Sequence, residues 1–178
     1  MSKSDDEKRN IERTSAEAFI ILYNNIKGTD YLIEAHSDNP DFVCRSINGD
    51  ILRFDVTLTE DADRDIQACL GRSDHRGVEA TRRRLKEGRY QASCLSGNVL
   101  AQLSNAIQKK RYKDYGRNCA LLVRAVPGVP WDWELVLDED FRNRISPFAA
   151  PYSKGIWLLS GDKQTLYCVY PETADSSE

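Results

Sequence analysis

Two aspartates occupy positions where apolar or turn-forming residues would be unremarkable. They stand in residues 39–57, which read NPDFVCRSINGDILRFDVT. Asp41 directly follows a proline, and Asp55 interrupts the apolar run ILRFDVTL. Burying a carboxylate without a partner costs several kcal/mol or shifts its pKa strongly. Two interpretations follow: both aspartates are solvated at a loop and a strand edge, or a cation binds between them.

The dipeptide Asn48-Gly49 predicts how the two aspartates are brought together. Asn-Gly is typical of a two-residue β-hairpin turn, so DFVCRSI and ILRFDVTLT are predicted to pair as antiparallel strands. With Asn48 and Gly49 at the centre of the turn, Asp55 lies opposite Phe42, and Asp41 is its diagonal neighbour. Two carboxylates at that separation need a shared cation, or one of them takes up a proton.

Other patterns predict the elements around this hairpin. NIERTSAEAFIILYNNIKG and SGNVLAQLSNAIQKKRYKDYG have helical periodicity, EDADRDIQACLG is predicted as a short helix, and DYLIEAHS and CALLVRAV as strands. WDWELVL is predicted as a strand and KGIWLLSGDKQTLYCVYP as a hairpin. The predicted fold class is α/β, a mixed β-sheet flanked by helices with an additional β-rich C-terminal part. It forms one domain over residues 11–170, between polar tails at 1–10 and 171–178.

The bulk composition narrows the class of protein. The chain has 178 residues, a net charge of -3 and a pI near 5.5, so any binding to nucleic acid must come from a local patch. No apolar run approaches the roughly 20 residues that span a bilayer, and the polar start MSKSDDEKRN does not resemble a signal peptide. The five cysteines are scattered, without a CxxC pair. We therefore expect a cytoplasmic protein with reduced thiols and no membrane association.

The order of these elements resembles the core of the PD-(D/E)XK nuclease superfamily, the restriction-endonuclease-like proteins. The resemblance covers residues 12–126, with Pro40-Asp41 at the first motif position and Asp55-Val56-Thr57 at the (D/E)XK position. It implies a metal-dependent nuclease, a hydrolase that cleaves phosphodiester bonds in DNA during restriction, repair or phage-type processing. It also implies Mg²⁺ or Mn²⁺ as the cofactor, held by Asp41, Asp55 and the backbone carbonyl of Val56.

Many members of this superfamily add a glutamate from the first helix to the metal site. Glu12 and Glu17 are the candidates here. At 100° per residue Glu12 borders the apolar face of the helix, whereas Glu17 points away from it. Glu12 is therefore the predicted third carboxylate; its structural alternative is a solvated acid in the first helical turn.

The chain departs from the superfamily pattern at Thr57, where the motif has a lysine that stabilises developing negative charge. Threonine supplies no cation. Three explanations remain open from the sequence. The role has migrated to the following helix, where Lys109 and Lys110 are the candidate donors and Gln102 a neutral substitute; the metal acts alone beside Thr57; or the site is degenerate.

The most basic stretch of the chain, TRRRLKEGRY, is the predicted nucleic-acid contact. Its candidate residues are Arg82, Arg83, Arg84 and Lys86. DNA is the predicted partner, and RNA is a second candidate. The C-terminal hairpin and its tryptophans suggest in addition a homodimer. The second function consistent with the sequence is a catalytically inactive PD-(D/E)XK fold that binds nucleic acid or another protein.

Structural alternatives apply to these patterns as well. If the two aspartates have only a structural role, Asp41 caps or borders a turn, and Asp55 forms an ion pair with a neighbouring arginine, either Arg45 or Arg53. The basic stretch is then a solvated helix face, because glutamates alternate with its positive charges.

Overall fold

A single six-stranded sheet organises the described part of the chain. The computed structural model describes residues 3–37, 39–59, 92–111, 117–125 and 133–172. The elements, in chain order, are α1 (Lys3–Lys27), β1 (Leu32–His36), β2 (Phe42–Arg45), β3 (Ile51–Leu58), α2 (Ala92–Lys110), β4 (Cys119–Arg124), α3 (Trp133–Val136), α4 (Glu139–Ala149), β5 (Ile156–Leu159) and β6 (Leu166–Tyr170).

The sheet is mixed, and its strands lie side by side in chain order. The β1–β2, β2–β3 and β5–β6 pairs are antiparallel, whereas β3–β4 and β4–β5 are parallel. The C-terminal hairpin β5–β6 therefore extends the same sheet and does not form a separate β-rich part. This arrangement confirms the predicted α/β class with a mixed sheet and flanking helices.

Helices cover both faces of the sheet, and alternate residues of β3 belong to different faces. α1 packs with Phe19 and Ile20 against the face formed by Leu52, Phe54 and Val56 of β3. The opposite face is covered by α2 and α4, in a core whose members include Leu103, Ile107, Leu121, Val123, Phe141 and Ile145. Because side chains alternate along a strand, Asp55 faces α2 and not α1.

The β2–β3 hairpin turns one residue earlier than predicted. The Ser46 amide donates to the Asp50 carbonyl (2.9 Å) and the Gly49 amide to the Ser46 carbonyl (3.0 Å). Gly49 has φ +89°, so the connection is a three-residue loop with its glycine in the left-handed region, not a two-residue Asn-Gly turn. Phe42 consequently pairs with Phe54. The predicted diagonal arrangement was wrong, and the register continues with the two aspartates directly opposite each other.

Three other expectations about the elements need correction. WDWELVL was predicted as a strand, but Trp133–Val136 is the short helix α3. Helix α4 was not predicted; it begins after Asp138, whose side chain accepts the Phe141 amide (2.7 Å) as an N-cap. α1 begins at Lys3, so residues 3–10, which were predicted as part of a polar tail, belong to the first helix. The predicted helix EDADRDIQACLG lies outside the described residues.

The hairpin β5–β6 confirms the predicted C-terminal hairpin but gives no support to the predicted homodimer. Trp157 is 2% exposed and belongs to the core against α1, so it offers no surface to a second copy. Cys44, Cys119 and Cys168 are free thiols. In the ranges that the structure describes, no helix is long and apolar enough to cross a membrane.

Candidate active site

Asp41 is held by backbone contacts at the point where β2 begins. Its carboxylate Oδ2 accepts the Val56 amide at 2.8 Å, and its carbonyl accepts the Ser37 amide at 2.9 Å. The N–H and C=O of a strand residue point to the same edge, so the Val56 carbonyl also faces the Asp41 side of β3. The proline that precedes Asp41 is buried and follows a cis peptide bond.

Asp55 is a fully buried carboxylate that receives a lysine from the next helix. Its side chain is 0% exposed, and its Oδ2 lies 2.5 Å from the Nζ of Lys110. Lys110 is the last residue of α2, and its side chain is 19% exposed. A lysine therefore contacts Asp55, where the structural alternative expected Arg45 or Arg53. Arg45 pairs with Glu34, and Arg53 donates to the Arg117 carbonyl.

The phase of α2 explains why Lys110 reaches Asp55 and the other two candidates do not. Lys110 follows Leu103 by seven residues and Ile107 by three, so it lies on the helix face that packs on the sheet. Gln102 and Lys109 are exposed, since they lie on the outward side of the same helix. This periodicity was present in the sequence and would have selected Lys110 over Lys109.

Burial and neighbouring charges raise the pKa of the Asp41 carboxyl group towards neutral pH. Its pKa is raised to about 7, first by burial and then by the negative charge of Asp55 and a hydrogen bond between the two carboxyl groups. The Val56 amide and the charge of Lys110 act in the opposite direction. The buried thiol of Cys119 lies close enough that Asp55 adds to the effect of burial, which raises its pKa to about 12. The charge of Lys110 thus lowers the pKa of Asp41 by less than burial and the charge of Asp55 raise it.

Because of Asp41, the free energy of unfolding should decrease as the pH rises. Its pKa is raised in the folded protein, so its contribution is fully present below about pH 4 and is lost as the pH rises through about 7. Asp41→Asn keeps an acceptor for the Val56 amide and removes the charge. We expect it to stabilise the protein at pH 8 by roughly 1 to 3 kcal/mol, less than the full shift implies because Asp41 is partly exposed.

Thermal unfolding of both proteins in EDTA from pH 4 to pH 8.5 checks this expectation. The advantage of Asp41→Asn should grow across that range. A pH-independent difference between the two proteins would show that Asp41 does not titrate as described.

The predicted third carboxylate, Glu12, does not join the pair. Among the described residues no group of three or more His, Cys, Asp and Glu side chains is placed to hold a metal ion. The reason lies in α1, which covers the sheet face opposite to Asp55. Thr14, close to Glu12, accepts a hydrogen bond from Lys163 of the β5–β6 turn (2.8 Å), several strands away from β2. Glu17, the second candidate, forms an exposed ion pair with Arg13 (3.0 Å).

The other predicted site residues are Thr57 and the basic residues of the nucleic-acid contact. Thr57 is half-buried, lies two residues beyond Asp55 on the same face of β3, and pairs with Val123 of β4. The basic residues Arg82, Arg83, Arg84 and Lys86 lie outside the described residues. Exposed cations do occur at the end of α2 and before β4, namely Lys109, Arg111 and Arg117.

Sequence reasoning missed one contact to the site. The hydroxyl of Tyr152, a fully buried residue between α4 and β5, donates to the Lys110 carbonyl at 3.2 Å. No local sequence pattern could have indicated this contact, because the two residues are 42 positions apart in the chain.

Comparison with known proteins adds no assignment: no family model, no curated protein and no solved structure matches the chain.

Proposed function

We propose that the chain is a metal-dependent nuclease that hydrolyses phosphodiester bonds in DNA, on a restriction-endonuclease-like variant of the mixed α/β sheet. One observation carries the proposal: Lys110 meets Asp55 beside Asp41, so two carboxylates and a lysine converge. This is the residue set of the PD-(D/E)XK motif, with the lysine supplied by α2 in place of position 57.

The donor set fits a hard divalent cation. Mg²⁺ is commonly held by one or two carboxylates, with water and substrate phosphate as its other ligands. Asp41 and Asp55 would hold the ion, and the Val56 carbonyl faces the same side. The raised pKa of Asp41 supports this fit, since adjacent carboxylates ionise fully only when more positive charge is present. When bound, the metal polarises the phosphodiester and lowers the pKa of a water molecule.

Lys110 takes the part of the missing motif lysine. An ammonium group has three donors, so Nζ can keep its bond to Asp55 and direct another donor at a phosphate oxygen. Its partly buried position strengthens this interaction, because solvent screens the charge less than it would at the surface. Thr57 lies on the same face, where its hydroxyl can orient a water or a phosphate oxygen but adds no charge.

DNA is the proposed substrate because of the local charge around this site. The net charge of -3 opposes binding to a polyanion, so phosphate contacts must be concentrated on one surface. Exposed Lys109, Arg111 and Arg117 border the helix end that carries Lys110, and they supply cations where a backbone would pass. RNA shares this phosphate chemistry and is the alternative substrate.

A second candidate function is a catalytically inactive module that binds nucleic acid or protein. The observation in its favour is the ion pair itself, because Lys110 already neutralises Asp55 without a metal. The absence of a third carboxylate from the pair, among the described residues, points the same way.

Titration with Mn²⁺ during thermal unfolding separates these two functions. A ligand at 100 times its Kd stabilises the folded state by about 2.7 kcal/mol. For a chain of this size, that raises Tm by roughly 5 to 10 °C. The nuclease should show this shift, lose it in Asp41→Asn/Asp55→Asn, and cleave plasmid or single-stranded DNA with Mg²⁺ but not with EDTA. An unchanged midpoint together with intact DNA would favour the inactive module.

A further inference from the structure

We propose that Tyr152 is a positioning residue that fixes Lys110 over the aspartate pair, an inference that rests on the proposed role of Lys110. Tyr152 lies outside the part of the chain that resembles the nuclease core. The proposal therefore gives the C-terminal third a function in the site: it completes the site without touching the substrate.

The hydroxyl of Tyr152 forms a hydrogen bond with the backbone of Lys110. The residue is fully buried, and a buried hydroxyl without a partner is costly. Its partner is the carbonyl of the last residue of α2 (3.2 Å), one of the carbonyl groups that a helix end leaves without an intrahelical partner. The bond thus holds α2 at Lys110, whose side chain contacts Asp55.

The segment that carries Tyr152 is itself attached to the sheet. The Lys154 amide donates to the Cys119 carbonyl (2.8 Å), and the Leu121 amide donates to the Gly155 carbonyl (3.0 Å). Gly155 has φ +83°, and a Cβ there would lie 2.8 Å from the Tyr170 carbonyl oxygen, so the backbone passes where only glycine fits.

These contacts form a continuous path from Tyr152 to Asp55. The segment 149–155 is bound to β4, and β4 pairs with β3, where Leu121 lies beside Asp55. Tyr152 therefore sets the backbone of Lys110 relative to the strand that carries its carboxylate partner. A lysine side chain has many rotamers, so fixing its backbone narrows the positions that Nζ can reach. Small displacements matter here, since misplacing a reacting group by about 1 Å costs up to roughly 100-fold in rate.

The variant Tyr152→Phe tests the proposal, because it removes the hydroxyl and keeps the ring in the core. We expect single-turnover DNA cleavage with saturating Mn²⁺ to slow roughly 10-fold, with little change in the DNA concentration at half-saturation. In the Lys110→Met background the same substitution should have no further effect, since no ammonium remains to be positioned. An equal loss in both backgrounds, or a wild-type rate for Tyr152→Phe, would overturn the proposal.

Tyr170→Phe is the matched control. It removes the hydroxyl of a half-buried tyrosine, which contacts the Ser146 hydroxyl at 3.2 Å, away from the aspartates. Each hydroxyl contributes about 1 kcal/mol, so both variants should lower Tm by about 2 to 4 °C. Only Tyr152→Phe should slow cleavage. An equal loss of cleavage rate in Tyr170→Phe would show that both variants act by destabilising the fold.

An NMR measurement tests the positioning role of Tyr152 even if the wild-type protein does not cleave DNA. The ammonium of Lys110, held on a buried carboxylate, should give a slowly exchanging ¹H–¹⁵Nζ signal in metal-free protein. We expect this signal to broaden or vanish in Tyr152→Phe and to persist in Tyr170→Phe. A persistent signal in Tyr152→Phe would contradict positioning, whereas a lack of cleavage by the wild type would contradict only the proposed nuclease.

Discussion

Replacing Lys110 by methionine is expected to slow DNA cleavage by roughly 10² to 10³-fold at saturating Mn²⁺. The expected size is that of removing one donor that stabilises developing charge in a site that water enters poorly. Methionine keeps the unbranched shape that packs between α2 and the sheet, but it removes the ammonium group that contacts Asp55. Thr57, at the motif position of the lysine, brings no positive charge that could replace it.

Lys109→Met is the control for this substitution. It removes the same charge from the neighbouring residue of α2, whose side chain is exposed on the outward side. At saturating DNA and about 0.15 M salt we expect cleavage within about 2-fold of wild type, because the loss of an exposed, screened phosphate contact then affects DNA binding and not the chemical step. Single-turnover rates of both variants check the prediction. Equal rates for Lys110→Met and wild type would show that Lys110 serves only as a counter-ion.

Asp55→Asn is expected to lower cleavage by at least about 100-fold and to abolish the stabilisation by Mn²⁺. The substitution keeps the side-chain volume at a fully buried position but removes a charged oxygen that both the metal and Lys110 require. The fold should persist. Lys110 is partly exposed and can turn its ammonium towards water, and the repulsion between the two carboxylates disappears.

Asp50→Asn provides the comparison for Asp55→Asn. Asp50 is an exposed aspartate in the loop of the same hairpin, where its amide bonds to the Ser46 hydroxyl (3.0 Å). Rates of cleavage and the Mn²⁺-induced shift of Tm should match wild type. The account of the site fails if Asp55→Asn binds Mn²⁺ as well as Asp50→Asn does.

The hairpin shows how far sequence patterns determine such a site. Alternating apolar residues and the Asn48-Gly49 dipeptide correctly predicted two paired strands with one aspartate on each. They did not fix the register, because an Asn-Gly pair suits both a two-residue turn and a three-residue loop that ends in a left-handed glycine. Since a shift of one residue changes the pairing along both strands, only the structure shows Asp41 directly opposite Asp55.

The helices show a second limit. The periodicity of α1 indicated which side of the helix is buried, but not which face of the sheet it covers, so Glu12 was assigned to the wrong side. For α2 the periodicity contained the answer, because Lys110 continues the apolar stripe of Leu103 and Ile107. The contact of Tyr152 depends on how α4 and β5 pack against the end of α2, and local sequence does not determine that.

Single-turnover cleavage of supercoiled plasmid DNA by the wild type and by Asp41→Ala/Asp55→Ala, in Mn²⁺ and in EDTA, tests the site most directly. We predict that the wild type nicks or linearises the plasmid in Mn²⁺ alone, and that the double variant leaves it intact at every Mn²⁺ concentration. Equal cleavage by a cleanly purified, folded double variant would contradict the assignment of Asp41 and Asp55 as the metal-binding carboxylates of a nuclease.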